Sequence, residues 1–165
     1  MFPQLVSIVG AVVIVIGLLA GTFFLGMRSK NPLVLGAVIW VSKTWLNKSQ
    51  MRTAGTPGAY AGIVRHVGRV SGRAYETPVS PVPTDDGFAI ALVYGARTSW
   101  LRNVLASGRA TLVTEGETWE VDRPELVPMG TVERWFTPGD VRSFRRMRVV
   151  DALRLHRVRA VEGVG

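Results

Sequence analysis

The pattern of apolar and polar positions divides the chain into two unlike parts. From Leu5 to Gly26 no charged residue occurs and Val, Ile, Leu and Phe dominate. That length is close to the roughly 20 apolar residues needed to cross a bilayer core, so the stretch predicts a membrane helix. The preceding Met1-Phe2-Pro3-Gln4 lacks the basic start of a secretory signal, and Leu18-Leu19-Ala20 is a poor cleavage site, which favours a retained anchor. Asn31-Pro32 then punctuates the chain. Leu33, Gly36, Ala37, Trp40, Val41, Thr44 and Trp45 recur at helical spacing up to Lys48, too short a run to span comfortably. Two readings stand for it: a helix in the membrane surface beside the domain, or an amphipathic helix packed on the domain. Met51 to Gly58, rich in Gly and Pro, reads as a linker.

Beyond Tyr60 the period shortens to that of β structure. Ile63, Arg65 and Val67 alternate with Val64, His66 and Gly68, and Thr77 to Val82 continues as an extended segment whose prolines suit an edge or the strand beside a pocket. Asp85-Asp86-Gly87 predicts a turn, and the apolar run Phe88 to Val93 a buried central strand. Thr98-Ser99 reads as an N-cap for a helix with Trp100, Val104 and Leu105 on one face and Gly108 at its end. Ala110–Glu115 and Thr118–Val127 flank Gly116 as a hairpin; a second helix runs from about Asp140 to Val149; Leu153, Leu155 and Val158 form a last strand. Strands with two short helices and no βαβ alternation predict a mainly β (α+β) domain, a small barrel with helices at its edge. The organisation is an anchor at 1–30, an interfacial helix and linker at 31–58, and the barrel domain at 59–165.

Charge sets the orientation. Arg28, Lys30, Lys43, Lys48 and Arg52 follow the apolar run and only the α-amino group precedes it, so the domain of a single-pass cell-membrane protein faces the cytoplasm. The net charge of +8 favours anionic partners: a lipid surface, a phosphorylated or carboxylated cofactor, or nucleic acid. Arg142, Arg145, Arg146, Arg148, Arg154, Arg157 and Arg159 raise the last, but an arginine cluster with few interleaved aromatics reads as a solvated or lipid-facing surface, and nucleic acid is disfavoured. The absence of cysteine excludes disulfides, thiolate metal sites and a cysteine nucleophile. His66 and His156 are too few and too far apart for a histidine-rich metal site, and read as a strand residue and a surface residue.

One turn carries candidate chemistry. Gly68-Arg69-Val70-Ser71-Gly72-Arg73 concentrates two glycines, two arginines and a hydroxyl, followed by Glu76-Thr77-Pro78. Glycine lets backbone amides turn toward a ligand, and guanidinium is a planar fork of donors for phosphate or carboxylate. Without a Gly-Lys-Ser/Thr ending, and lying between strands, it is neither a P-loop nor a Rossmann fingerprint. A basic hairpin turn solvated by its own charges is the competing reading.

A second cluster, Tyr94-Gly95-Ala96-Arg97 and then Ser99 to Gly108, changes the balance. The Gly-Arg-x-Ser-Gly turn, the downstream Thr-Pro, the Asp-Gly turn, the apolar strand ending in a glycine loop, and the Trp-x-x-Asn-x-x-Ala helix together resemble the deazaflavin-dependent nitroreductases. That family, found notably in actinobacteria, has a split β-barrel and uses 8-hydroxy-5-deazaflavin, coenzyme F-420. The match runs from about Ile63 to Val113. The resemblance implies that Arg69, Ser71 and Gly72 help hold the cofactor's phosphate and acidic tail. It places Pro78 beside the deazaflavin ring, Tyr94, Gly95 and Ala96 in the loop that approaches it, and Trp100 and Asn103 on the helix behind. Arg73 and Arg102 are further tail-binding candidates by charge and proximity, and Tyr94 is the candidate catalytic proton donor. The turn departs from the family's Gly-Arg-Lys-Ser-Gly at Val70, which removes a positive charge beside the expected phosphate.

The expected function is hydride transfer from the reduced deazaflavin to a lipophilic acceptor: a quinone, a nitro compound or an unsaturated acyl chain. The alternative is a barrel that holds a lipid, or another flavin such as flavin mononucleotide, without turnover. A homodimer is what the family's barrel architecture generally implies.

Overall fold

The computed structural model describes residues 21, 24–26, 28–29 and 51–161. Most of the expected membrane span, and all of the Leu33 to Lys48 helix, lie outside these residues. No helix among the described residues is long and apolar enough to cross a membrane.

The domain runs β1 (Gly62–Val67), β2 (Ala74–Val79), β3 (Pro81–Pro83), β4 (Gly87–Ala91), α1 (Ser99–Ser107), β5 (Arg109–Thr114), β6 (Glu117–Pro128), α2 (Pro138–Arg146) and β7 (Asp151–Ala160). Two 3-10 turns, Met129–Thr131 and Glu133–Trp135, lie between β6 and α2. Every strand pairing is antiparallel, and the order across the sheet is β2-β1-β5-β6-β7-β4-β3. The outermost strands, β2 and β3, are consecutive in the chain with only Ser80 between them. The two edges of a seven-stranded sheet can lie one residue apart only if the sheet curls on itself, and the result is a half-barrel. Pro78, Pro81 and Pro83 all fall on these edges, where a missing N–H costs no ladder bond. Register shifts in β6 between Glu120 and Val121 and between Asp122 and Glu125, with Arg123 at φ 45°, bend the long strand around the barrel.

The concave side is filled by Val64, Phe88, Ile90, Leu112, Leu153 and Leu155, and α1 closes it with Leu101 and Val104. Leu101, Val104 and Leu112 are fully buried, and truncating such a leucine to alanine costs about 2–5 kcal/mol. The other face of β4 and β7 is covered as well: Ala89 and Ala152 pack beneath Met129, Val132 and Phe136, with Val141 and Phe144 of α2 against them. This double cover explains the apolar run in β4. It is buried on both faces although it is the penultimate strand, not a central one, and it ends at Ala91.

Three local expectations are corrected. Leu105 is 37% exposed and Leu101 takes its place in the core, because the buried face of α1 runs through Leu101 and Val104. Met51 to Gly58 is no free linker: Gly55 N donates to Ala61 O, Gly116 N to Gly55 O, and Gly58 N to Glu115 Oε2, so the stretch docks on the β5–β6 hairpin tip. His156 is not a surface residue; its side chain is 13% exposed in β7, 3.1 Å from Asp86 Oδ2.

Candidate functional site

The β1–β2 turn is built by its glycines and tied down by α1. Gly72 N donates to Gly68 O and Gly68 N to Arg73 O, closing a single helical turn that Gly72 ends with φ 65°. At Gly68 a side chain would strike the Tyr75 ring, 2.7 Å from the Cβ position, so this residue must be small for the turn to fold over Tyr75. Ser71 Oγ lies 3.1 Å from Tyr75 Oη and 3.4 Å from Arg73 N, which donates to it.

Asn103, on α1, fastens this turn to the barrel. Its Oδ1 accepts from Arg69 N at 3.2 Å and from Arg69 Nη1 at 3.0 Å. Since Oδ1 takes both donors, the amide nitrogen must be the atom 3.2 Å from His66 Nδ1, and it can only donate. His66 Nδ1 is therefore the acceptor, and Nε2 carries the proton toward Thr77 Oγ1 at 3.1 Å. His66 is neutral by geometry, and its burial independently pushes its pKa below the ordinary 6.5. Both His66 and Asn103 are buried, so the chain Arg69–Asn103–His66–Thr77 satisfies polar atoms that would otherwise be orphaned in the core. Tyr75, opposite His66 across β1 and β2, stacks on it with ring centroids 5.8 Å apart.

The second cluster reaches this network through the same helix. Gly95 N donates to Leu92 O in the turn after β4, and the chain runs from there directly into α1. Ala96 and Trp100 pack on the barrel core, while Tyr94 is 39% exposed. Pro78 sits half-buried in β2 opposite Ile63. Arg73 and Arg102 are exposed, and among the described residues neither has an acidic partner. Val70 is 89% exposed at the tip of the turn.

Two polar residues beside these clusters carried no assigned functional role in the sequence. His66 is one; its in-phase position with Val64 on an alternating strand was the signal that it points inward. Thr98 is the other. It occupies the N-cap position of α1, yet its side chain caps no amide and its Oγ1 is buried without a partner among the described residues. Nothing in the sequence separates that arrangement from an ordinary cap.

A groove of about 640 Å³ opens between Arg65, His66, Val67, Arg109, Thr111, Asp122 and Val158, so it reaches His66 of this network, but none of the expected site residues lines it. The seven C-terminal arginines divide. Arg145 pairs with Glu133 at 2.8 Å, Arg154 with Asp86 at 2.6 Å and Arg159 with Glu120 at 2.9 Å; Arg157 lies 4.8 Å from the centre of the Trp119 ring. The Asp86 carboxyl stays below its ordinary range: burial raises it, and the hydrogen bond and charge of Arg154, with the charge of His156, outweigh that.

No family model matches the chain, and no curated protein does. Among solved structures it is similar to a conserved hypothetical protein from Mycobacterium tuberculosis, at 13% identity over 62% of this chain and 76% of that one, TM-score 0.48. It is also similar to an F-420-H2-dependent reductase, at 15% identity over 57% and 91%, TM-score 0.44. A third is a haem storage protein from Vibrio cholerae, at 10% identity over 68% and 87%, TM-score 0.45. With TM-scores below 0.5, and with names as different as a reductase and a haem store, these likenesses decide neither activity nor ligand.

Proposed function

We propose that the chain is a membrane-anchored oxidoreductase that transfers a hydride from a reduced deazaflavin to a lipophilic acceptor, a quinone, nitro compound or unsaturated acyl chain. One observation carries the reading: Asn103 joins the arginine turn to the helix that follows the Tyr94–Ala96 loop, so the two motif clusters share one support. The donor set fits such a cofactor. Arg69 and Arg73 offer guanidinium groups to an anionic tail, and the buried Thr98 Oγ1, without a partner among the described residues, offers a hydrogen bond beside the loop.

A bound deazaflavin supplies the hydride, and the residues of this chain supply position and shielding. Arg69, with Arg73 and Arg102 as further contacts, holds the acidic tail; Ser71 and Gly72 shape the turn against it. Pro78, Gly95 and Ala96 would bring backbone to the ring and Trp100 would wall its apolar side. Tyr94 Oη donates a proton to the reduced acceptor. Anchorage by the Leu5 to Gly26 stretch, with the domain facing the cytoplasm, puts lipid-soluble acceptors within reach.

A second reading, a barrel that binds a lipid or flavin mononucleotide without turnover, is favoured by Val70, which puts an exposed apolar side chain where the family's lysine would stand. Titration of the purified protein with oxidised and reduced deazaflavin, flavin mononucleotide and acyl lipids separates the two. Failure to bind deazaflavin sinks the reductase. Where it binds, unchanged turnover in Tyr94→Phe removes that hydroxyl from the reaction.

A further inference from the structure

Ion pairs engage Arg145, Arg154 and Arg159 and the Trp119 ring engages Arg157, which leaves Arg142, Arg146 and Arg148 as the C-terminal arginines with neither kind of partner among the described residues, and all three are exposed. They are not scattered. Arg142 and Arg146 stand four apart on α2, on the face turned away from Val141 and Phe144, which pack into the core. Arg148 follows at the helix end. There Val149 N donates to Phe144 O and Arg148 N to Arg145 O, a helix-ending pattern whose left-handed position usually belongs to glycine. Arg148 holds that position with φ 53°. A strained arginine where glycine would be relaxed points to a use for the side chain.

The neighbour of this face is the end of the apolar N-terminal stretch. Arg28 Nη1 donates to Arg146 O at 2.7 Å, and one turn earlier Phe24 and Leu25 are 42% and 65% exposed. An uncompensated basic face thus adjoins exposed apolar side chains, the arrangement that fits headgroups on one side and acyl chains on the other. We propose that the outer face of α2, through Arg142, Arg146 and Arg148, docks on anionic lipid headgroups and fixes the tilt of the barrel on the membrane. The proposal takes its setting from the membrane reading above, but the docking face is tested separately from the anchor.

The chain has no cysteine, so a single Ser143→Cys on the exposed side of α2 accepts one environment-sensitive fluorophore in the full-length protein. The readout is collisional quenching by neutral acrylamide in phosphatidylcholine vesicles with and without phosphatidylglycerol. Docking predicts protection on the anionic vesicles at low salt, lost in high salt. Each arginine at an anionic surface is worth about fivefold in the docking equilibrium, so Arg142→Ala, Arg146→Ala and Arg148→Gly together should weaken it on the order of a hundredfold and abolish protection. Equal quenching on both vesicles, or protection that survives the triple substitution, overturns the proposal. Protection by duplex DNA without protection by anionic vesicles overturns it in favour of nucleic acid. Flotation with phosphatidylcholine vesicles in high salt reports the anchor alone; if the chain does not float, the same label reads docking of the free protein on added anionic vesicles.

Discussion

Asn103 and Arg69 lie 34 positions apart, yet one carbonyl oxygen of Asn103 accepts both the backbone and a guanidinium N–H of Arg69. The pair makes α1 and the arginine turn one rigid unit. Asn103→Leu keeps the volume and removes both contacts, and it leaves His66 Nδ1 as a buried acceptor with no donor. A loss of about 1–3 kcal/mol in urea-unfolding free energy is expected, together with weaker deazaflavin binding in the same preparation. Weakened stability with unchanged cofactor affinity would separate the fold role from the site role.

The neutral His66 makes stability depend on pH. Its folded pKa is depressed, so above the unfolded value of 6.5 the protein has its full stability. As pH falls below 6.5 the unfolded chain takes up a proton that the folded chain refuses, and stability drops by up to about 1.4 kcal/mol per pH unit until the folded pKa is reached. His66→Gln should flatten this part of the curve. The check is the urea midpoint from pH 7.5 to 5 for both proteins; parallel curves would mean that His66 does not carry the effect.

Thr98 Oγ1 is buried without a partner among the described residues, so Thr98→Val replaces an unmet polar atom with a methyl of equal size. The expected change in thermal stability is nil or an increase of about 1 kcal/mol. If the hydroxyl serves a ligand, deazaflavin binding falls about fivefold, the size of one hydrogen bond. A destabilised variant with intact binding would show that Thr98 finds its partner inside the fold.

Val70 is 89% exposed, so Val70→Lys meets no packing constraint and should leave stability within about 0.5 kcal/mol. If the turn holds the cofactor's acidic tail as proposed, an added charge there should tighten deazaflavin binding severalfold and make it more sensitive to salt. Unchanged affinity would favour the lipid- or flavin-binding reading.

Arg148 occupies a left-handed backbone conformation, and Arg148→Gly removes the strain. A gain of about 1 kcal/mol in unfolding free energy is expected. The same substitution removes one charge from the α2 face, so stability and docking on anionic vesicles should move in opposite directions. Any loss of docking in this variant is then not a loss of folding.

By itself the sequence determined the local elements. Alternation from Ile63 placed β1, the Asp-Gly turn placed the start of β4, Gly108 and Gly116 marked a helix end and a hairpin, and the arginine turn was legible as chemistry. These are short-range properties: a period of two fixes faces, and glycine fixes turns wherever it stands. The helix face was misread at Leu105 because both leucines of α1 satisfy a loose apolar stripe, and only the barrel mouth selects Leu101. Which strands meet, which arginines are neutralised and which proton His66 carries depended on contacts 11 to 68 positions apart. No local pattern encodes such pairings; they follow from how the sheet curls. The arginine turn is the clearest case. Its residues raised the expectation of an anion site, but its support by Asn103 and the neutral His66 joined to it exist only once β1, β2 and α1 are packed together.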